Sequence, residues 1–420
     1  MSDVSSYRIR RSTLEGEIRL SGAKNSVLRL LAASLLTNDK IVLENFPSKL
    51  SDVSIHVGML EALGKTCEFE SEERMSIRES NSLTTTLSWD GRSIRNTLLI
   101  LGALVTREGV GAVPLPEGCD LGGRPYDLHK LVLETLGCRV WEERGLLCAE
   151  APSEGLVGTD IHLPIRSTGA TENAIIAASL ARGVTNIWNP HIRPEIVDLV
   201  TFLNGMGAHI CIFGQERIEV LGVEELGGCS HAVIADNMEA ITWLVASVIT
   251  GGEIRIQNFP TQDLEVALIH LRESGAEYFL ESDALIVKGG KCYPIEISTG
   301  PHPGINSDVQ PILAAYAAQA RGESRIIDLR FPGRYAYASE MAKMGMKHEI
   351  DGNLLKIFGN GGGLVGANVR ALDLRAGVAL VLCGLIAEGE TILKDAWQVE
   401  RGYNNFVSKL QSLGGTIEVN

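Results

Sequence analysis

Apolar residues recur along this chain at three- and four-residue steps in blocks about a dozen residues long. Between the blocks stand short apolar runs bounded by Gly, Pro or Asn. The first spacing is that of helices with a buried face and the second that of strands. In the first stretch the pattern predicts a strand (EIRLSG), a helix over 25–36, a strand (KIVLENFP), a helix over 52–63 and a closing strand (KTCEFE). The same periodicity predicts helices over 97–107 and 374–387.

The order repeats. A helical block ending in a step onto glycine, followed by a strand, recurs at Gly64, Gly137, Gly207, Gly275, Gly345 and Gly414, with spacings of 73, 70, 68, 70 and 69 residues. Six units of about 70 residues that alternate strand and helix imply an α/β protein with mixed sheets covered by helices. Such units exceed usual solenoid lengths, which favours a closed arrangement over a linear array. Three plus three units imply two globules and a ligand cleft, with the boundary near 229–237.

Composition narrows the function. Lys and Arg number 38 and Asp and Glu 52, a net charge of −14, so a nucleic-acid backbone would meet net repulsion. Nucleic acid is not an expected partner, and an anionic substrate has to be held by a few cations gathered locally. A charged fraction of 21% and a mean hydropathy of +0.10 describe an ordinary globular chain. No apolar run has signal-peptide or membrane-spanning length, so the expected address is cytoplasmic, with no membrane partner. Eight cysteines without a CxxC pair fit buried thiols in a reducing compartment. No HExxH or GxxxxGK[ST] occurs, the glycine run at 359–363 reads as a turn, and no metal or cofactor is expected.

Several polar clusters fall where strands give way to helices, the places where backbone donors and the helix dipole favour anions. In SGAKNS (21–26), Lys24 would stand at a helix N-terminus, unfavourable for a cation unless an anion joins it. The alternative is a solvated lysine in a turn. The Gly- and Pro-rich loop 115–129 holds Cys119 with Arg124 five residues on, a setting that suits a reactive thiol as well as a structural one. Asp308 enters a helix running to Ala320, where an acid is usually a cap. Arg375 and Arg401 each stand at the start of a helix in the sixth unit, and join Lys24, Arg95 and Arg124 as cations to track.

Taken together the motifs resemble the enolpyruvyl transferases over essentially the whole chain. They are GAKN (22–25), LPEGC (115–119) with GGRPYDLH (122–129), STGATEN (167–173), RPEIVD (193–198), GPHP (300–303) with Asp308, DLRA (373–376) and RGY (401–403). The resemblance implies an inside-out α/β barrel of two domains with threefold pseudosymmetry, one of 24–232 and one of 1–23 plus 233–420. It implies transfer of the enolpyruvyl group of phosphoenolpyruvate to the 3'-hydroxyl of UDP-GlcNAc, the first committed step of peptidoglycan synthesis. Phosphate leaves by addition and elimination, chemistry that needs an acid, a base and cations.

By the same resemblance Cys119 supplies or guards the proton at C3 and is the target of the epoxide fosfomycin, and Asp308 takes the hydroxyl proton. Lys24, Arg124 and Arg401 bind phosphate, Arg375 and Arg401 the carboxylate, and Arg95 lies close. Asn25, Pro125, Tyr126, Asp127, Leu128, Ser167, Thr168 and Gly169 face the acceptor. Departures from the family pattern at Ile165, Arg166, Arg193 and Asn237 fall on the nucleotide-sugar side. They leave open another nucleotide acceptor or a catalytically silent paralogue, whereas the Cys119 loop speaks against a shikimate-directed enzyme.

Overall fold

The computed structural model describes residues 6–92, 94–115 and 126–420. Each repeat runs through a short edge strand, an inner helix, a main strand parallel to the edge, an outer helix and an antiparallel hairpin. The third repeat shows the plan: edge Asp160–His162, inner helix Thr168–Ala178, main strand Val184–Trp188, outer helix Pro194–Gly205 and hairpin His209–Phe213/Arg217–Leu221. Five repeats build four-stranded sheets this way, and in the second the edge is a single bridge from Thr86 to Ala112.

The chain divides into two compact units. One comprises Gly22–Ser48 and Asp52–Ile234, here the Lys24 unit; the other comprises Met1–Ser21, Lys49–Ser51 and Ala235–Asn420, here the Asp308 unit. Strand exchange explains why the first unit lacks the N-terminus. The strand Glu15–Arg19 pairs not with the first repeat but with Glu253–Gln257 of the fourth, while Ser230–Ala232 supplies the edge beside Ile41–Glu44. Ser6–Arg10 completes the sixth sheet between Glu390–Lys394 and Thr416–Val419. The sequence order had placed EIRLSG in the first repeat; its period-two pattern fixes a strand but not its partner. The single closing strand expected after each outer helix is a hairpin, Lys65–Ser71 with Arg74–Glu79 in the first repeat.

The repeating glycine has a backbone cause. All six take positive φ, between 86° and 111°, just past the outer helix, a conformation that costs any other L-residue about 1–2 kcal/mol. In five of the repeats the next N–H reaches back five residues to a helix carbonyl, as Cys138 to Leu133 and Ala208 to Leu203 at 2.9 and 3.0 Å. Orphan carbonyls are satisfied there and the chain turns sharply into the hairpin.

Inner helices are buried on nearly every side, whereas an outer helix such as Asp127–Thr135 buries only His129, Val132 and Leu133. In the Asp308 unit the inner helices Asn237–Thr250, Gln310–Gln319 and Leu374–Ile386 pack against one another. In the Lys24 unit Thr97–Glu108 packs on both Lys24–Ala33 and Thr168–Ala178. The inner helices form the buried centre of each unit, and their N-termini are the places where polar chemistry gathers. Among the described cysteines Cys138, Cys148, Cys292 and Cys383 are buried. Cys211, at an outward position of its strand, is exposed, against the expectation of buried thiols. No described helix is long and apolar enough to cross a membrane.

Candidate functional site

In the Lys24 unit, Lys24 is the first residue of its inner helix and its side chain is only 9% exposed. Its Nζ lies 2.6 Å from Asp52 Oδ2, and the other Asp52 oxygen pairs with Arg92. The reading of Lys24 as a solvated turn residue is therefore wrong: a carboxylate from the neighbouring outer helix stabilises the cation at the helix N-terminus. Gly22 is required beside it, because a Cβ there would come within 2.0 Å of the Asn45 carbonyl oxygen.

Arg95, half-buried, precedes Asn96, whose Nδ2 donates to Leu28 O at 2.7 Å and to His56 Nδ1 at 3.0 Å. Burial, with Arg29 nearby, pushes His56 down to about 3, so the ring is neutral and accepts that bond. His129, pushed down to about 3 by burial, Arg95 and Arg29, sits against Gly169, where a Cβ would fall 2.9 Å from its Nε2.

That contact joins two groups of residues expected to face an acceptor. Tyr126, Asp127 and Leu128 open the helix that carries His129, and Ser167, Thr168 and Gly169 open the inner helix it touches. Ser167 accepts from Ala170 N at 3.4 Å, and Thr168 Oγ1 bonds His191 Nδ1 at 2.8 Å. Asn25 is half-buried in the first turn after Lys24.

Of the residues that depart from the family pattern, Ile165 is exposed and Arg166 reaches Asn189 Oδ1 and Gln215 O at 3.4 Å. Arg193 donates from Nε and Nη2 to the two oxygens of Glu195, at 2.7 and 2.8 Å. Asn237 belongs to the Asp308 unit, as the first residue of an inner helix. Cys119, Arg124 and Pro125 lie outside the described residues.

In the Asp308 unit each inner helix is approached by an aspartate, and two of the three are caps. Asp236 accepts from the N–H groups of Met238 and Glu239, and Asp373 from those of Arg375 and Ala376. Asp308 does not cap: its helix starts at Gln310, after Val309, with no side-chain cap. The position corresponding to the second cap donor is Pro311, which has no N–H to give. The Asp308 carboxylate, about 30% exposed, instead accepts from Arg334 Nη1 at 2.7 Å and stands 3.9 Å from Arg375 Nε.

Arg375 is fully buried, with its guanidinium 5.2 Å from the Tyr403 ring centroid and its Nε and Nη1 without hydrogen-bond partners among the described residues. Burial opposes its charge, but Tyr403, Asp308 and Asp236 outweigh that and raise its pKa. Two guanidinium donors that make no hydrogen bond in a buried setting are costly unless an anion joins them. Arg401 follows rather than starts a helix: it closes the short Trp397–Glu400 turn, donates to Gln398 Oε1 at 2.8 Å and lies 6.0 Å from the Trp397 ring centroid.

Sequence reasoning missed Arg334, Asp52 and Arg92. Arg334 sits in a loop with no helical or strand periodicity around it, and Asp52 reads as an ordinary first-turn acid. Among the described residues no group of three His, Cys, Asp or Glu could hold a metal ion.

The fold and these clusters define an enolpyruvyl transferase: the model of EPSP synthase (3-phosphoshikimate 1-carboxyvinyltransferase) matches residues 9–410, and the chain belongs to that family. Within it the chain is 40% identical over 408 residues, 96% of each chain, to UDP-N-acetylglucosamine 1-carboxyvinyltransferase 1 of Caldanaerobacter subterraneus subsp. tengcongensis. It is 41% identical over 406 residues, again 96% of each, to the protein of that name from Carboxydothermus hydrogenoformans. Among solved structures it is similar to the enolpyruvyl transferase NikO from Streptomyces tendae, with a TM-score of 0.89 at 25% identity over 98% of each chain. EPSP synthase from Acinetobacter baumannii shares the fold, with a TM-score of 0.81 at 18% identity, covering 99% of this chain and all of that one.

Proposed function

We propose that this chain transfers the enolpyruvyl group of phosphoenolpyruvate to the 3'-hydroxyl of UDP-N-acetylglucosamine and releases phosphate, in the cytoplasm and at the start of peptidoglycan synthesis. One observation carries the chemistry: of three equivalent aspartates at inner-helix entrances, Asp308 alone is kept from capping and is held between two arginines. The relatives of about 40% identity carry the choice of substrates.

In the addition step Asp308 takes the proton of the sugar hydroxyl as its oxygen bonds C2 of phosphoenolpyruvate, and C3 receives a proton that Cys119 supplies or guards. In the elimination step a proton leaves C3, the C2–O bond to phosphate breaks and the enol ether re-forms. Lys24, Arg124 and Arg401 hold the phosphate and Arg375 with Arg401 the carboxylate, with Arg95 near them. Nε and Nη1 of Arg375, which have no hydrogen-bond partner among the described residues, suit that anion. Arg334 acts through Asp308, fixing one carboxylate oxygen. Asn25, the 125–128 segment and Ser167 to Gly169 receive the acceptor.

A second reading, transfer to another nucleotide acceptor, rests on Arg193, which Glu195 binds at Nε and Nη2, and on Arg166, which directly precedes the acceptor segment Ser167 to Gly169. Phosphate release from phosphoenolpyruvate, measured with UDP-GlcNAc, UMP and shikimate 3-phosphate in parallel, decides between them. Release only with UDP-GlcNAc is expected; release only with UMP selects the second reading, and no release with any of the three overturns both.

A further inference from the structure

We propose that the Asp308 unit carries a second anion site, at the carboxyl ends of the strands Asn368–Arg370 and Glu390–Lys394, which takes a small phosphate-bearing polyanion. A cavity of about 360 Å³ lies there, lined by Lys343, Asn368, Val369, Arg370 and Lys394. Its volume is at the small end of the range for ligand sites, and it lies where parallel strands of α/β proteins commonly present ligands. None of the residues assigned to the enolpyruvyl reaction lines it.

Strand register supplies the second observation. Arg370 and Lys394 are the last residues of their strands and stand directly opposite each other. Like charges so placed weaken a sheet. The other parallel pairs end on Ala232 with Glu44, His162 with Trp188, Arg19 with Gln257 and Ser298 with Ile327, so none sets two cations face to face.

A third cation, Lys343, comes from the last residue of the outer helix Ala336–Lys343. Two acids offset part of this charge: Glu340 lies 2.7 Å from Lys343 Nζ, and Asp395 pairs with Arg370. Lys394 has no ion pair among the described residues, which leaves a positive excess inside a protein of net charge −14. An anion bridging the three cations, with the Asn368 amide as a further donor, would add to Asp395 and Glu340 in offsetting the cross-strand charge of Arg370 and Lys394.

Calorimetric titration of the full chain with inorganic pyrophosphate, without phosphoenolpyruvate or acceptor, tests the site independently of the reaction proposed above. Wild type is expected to show a binding step that Arg370→Gln/Lys394→Gln weakens at least tenfold, that Lys343→Gln weakens severalfold and that Lys394→Arg retains. Lys24→Ala is expected to keep that step, which separates it from anion binding at the reaction residues. Glycerol 3-phosphate and inorganic phosphate as further titrants distinguish a phosphate ester from the free anion, and preference for either supports the site where Arg370→Gln/Lys394→Gln removes it. Equal pyrophosphate binding by wild type and Arg370→Gln/Lys394→Gln, or no binding by wild type, overturns it. Should the double variant fail to fold, Lys343→Gln on the exposed helix end decides alone.

Discussion

The two units repeat one plan three times each, yet they treat the entrances of their inner helices in opposite ways. In the Asp308 unit every entrance has an acid, two of the three capping the helix and the third turned to arginines. In the Lys24 unit the entrances carry Ala23, Asn96 and Ser167, with Lys24 and Arg95 adjoining them, and only Ser167 makes a side-chain cap. One unit has satisfied the helix donors at two of its three entrances with its own carboxylates. The other leaves donors and cations together, the condition under which an anion is stabilised. A repeat therefore fixes where chemistry sits, at inner-helix N-termini, while the residue at each entrance fixes what that chemistry is.

The sharpest break of this comparison is Asp308→Asn. Turnover is expected to fall by roughly 10²–10⁴ with both KM values little changed, because a base is removed without emptying the pocket. Near-normal turnover in steady-state kinetics would return Asp308 to the structural role of Asp236 and Asp373. Cys119→Ser should lose most turnover and all covalent labelling by fosfomycin, read by mass spectrometry, since a hydroxyl is a weaker acid and nucleophile than a thiol. Cys119→Asp should keep activity and escape labelling.

Asp52→Asn is a smaller test, confined to the Lys24 unit. Loss of the carboxylate that orients Lys24 is expected to raise KM for phosphoenolpyruvate about tenfold, roughly 1.4 kcal/mol, with a lesser effect on kcat. An unchanged KM would mean that Lys24 needs no orientation by Asp52.

Acid should separate the units. His56 and His129, the two buried histidines among the described residues, both lie in the Lys24 unit, with folded pKa values near 3 against 6.5 for a free ring. The unfolded chain takes up protons that the folded unit refuses, so this stability is complete above pH 6.5 and drains as pH falls toward 3. The slope is about 1.4 kcal/mol per pH unit for each ring. Glu172, raised by burial, works the other way and offsets part of the loss. Hydrogen exchange at pH 4.5 is expected to show protection lost first in Gly22–Ser48 and Asp52–Ile234, and loss first in the Asp308 unit would contradict it.

The smallest effect comes from the caps. Asp236→Ala and Asp373→Ala should each cost about 1 kcal/mol in urea unfolding, while Asp308→Ala lacks that cap contribution. Equal losses at all three positions would erase the distinction.

Sequence alone determined the repeat, because a glycine at left-handed φ after each outer helix is a local backbone demand, and it fixed the α/β alternation through periodicity. Motif resemblance picked out Lys24, Asp308, Arg375 and Arg401, since short strings around helix starts keep their order along the chain. Strand exchange was legible only through the resemblance, which groups 1–23 with 233–420; periodicity is silent on it, because EIRLSG has the same alternation whether it pairs with Ile41–Glu44 or with Glu253–Gln257, and only packing chooses. Not legible at all were the burial of Lys24, which depends on Asp52 from another helix, and the part of Arg334, whose loop brings it to Asp308 from 26 residues away. Whether Asp308 caps a helix or faces arginines was likewise decided in three dimensions. A cap needs a backbone donor in the right place, and Pro311 gives none while Arg334 offers a stronger, charged one.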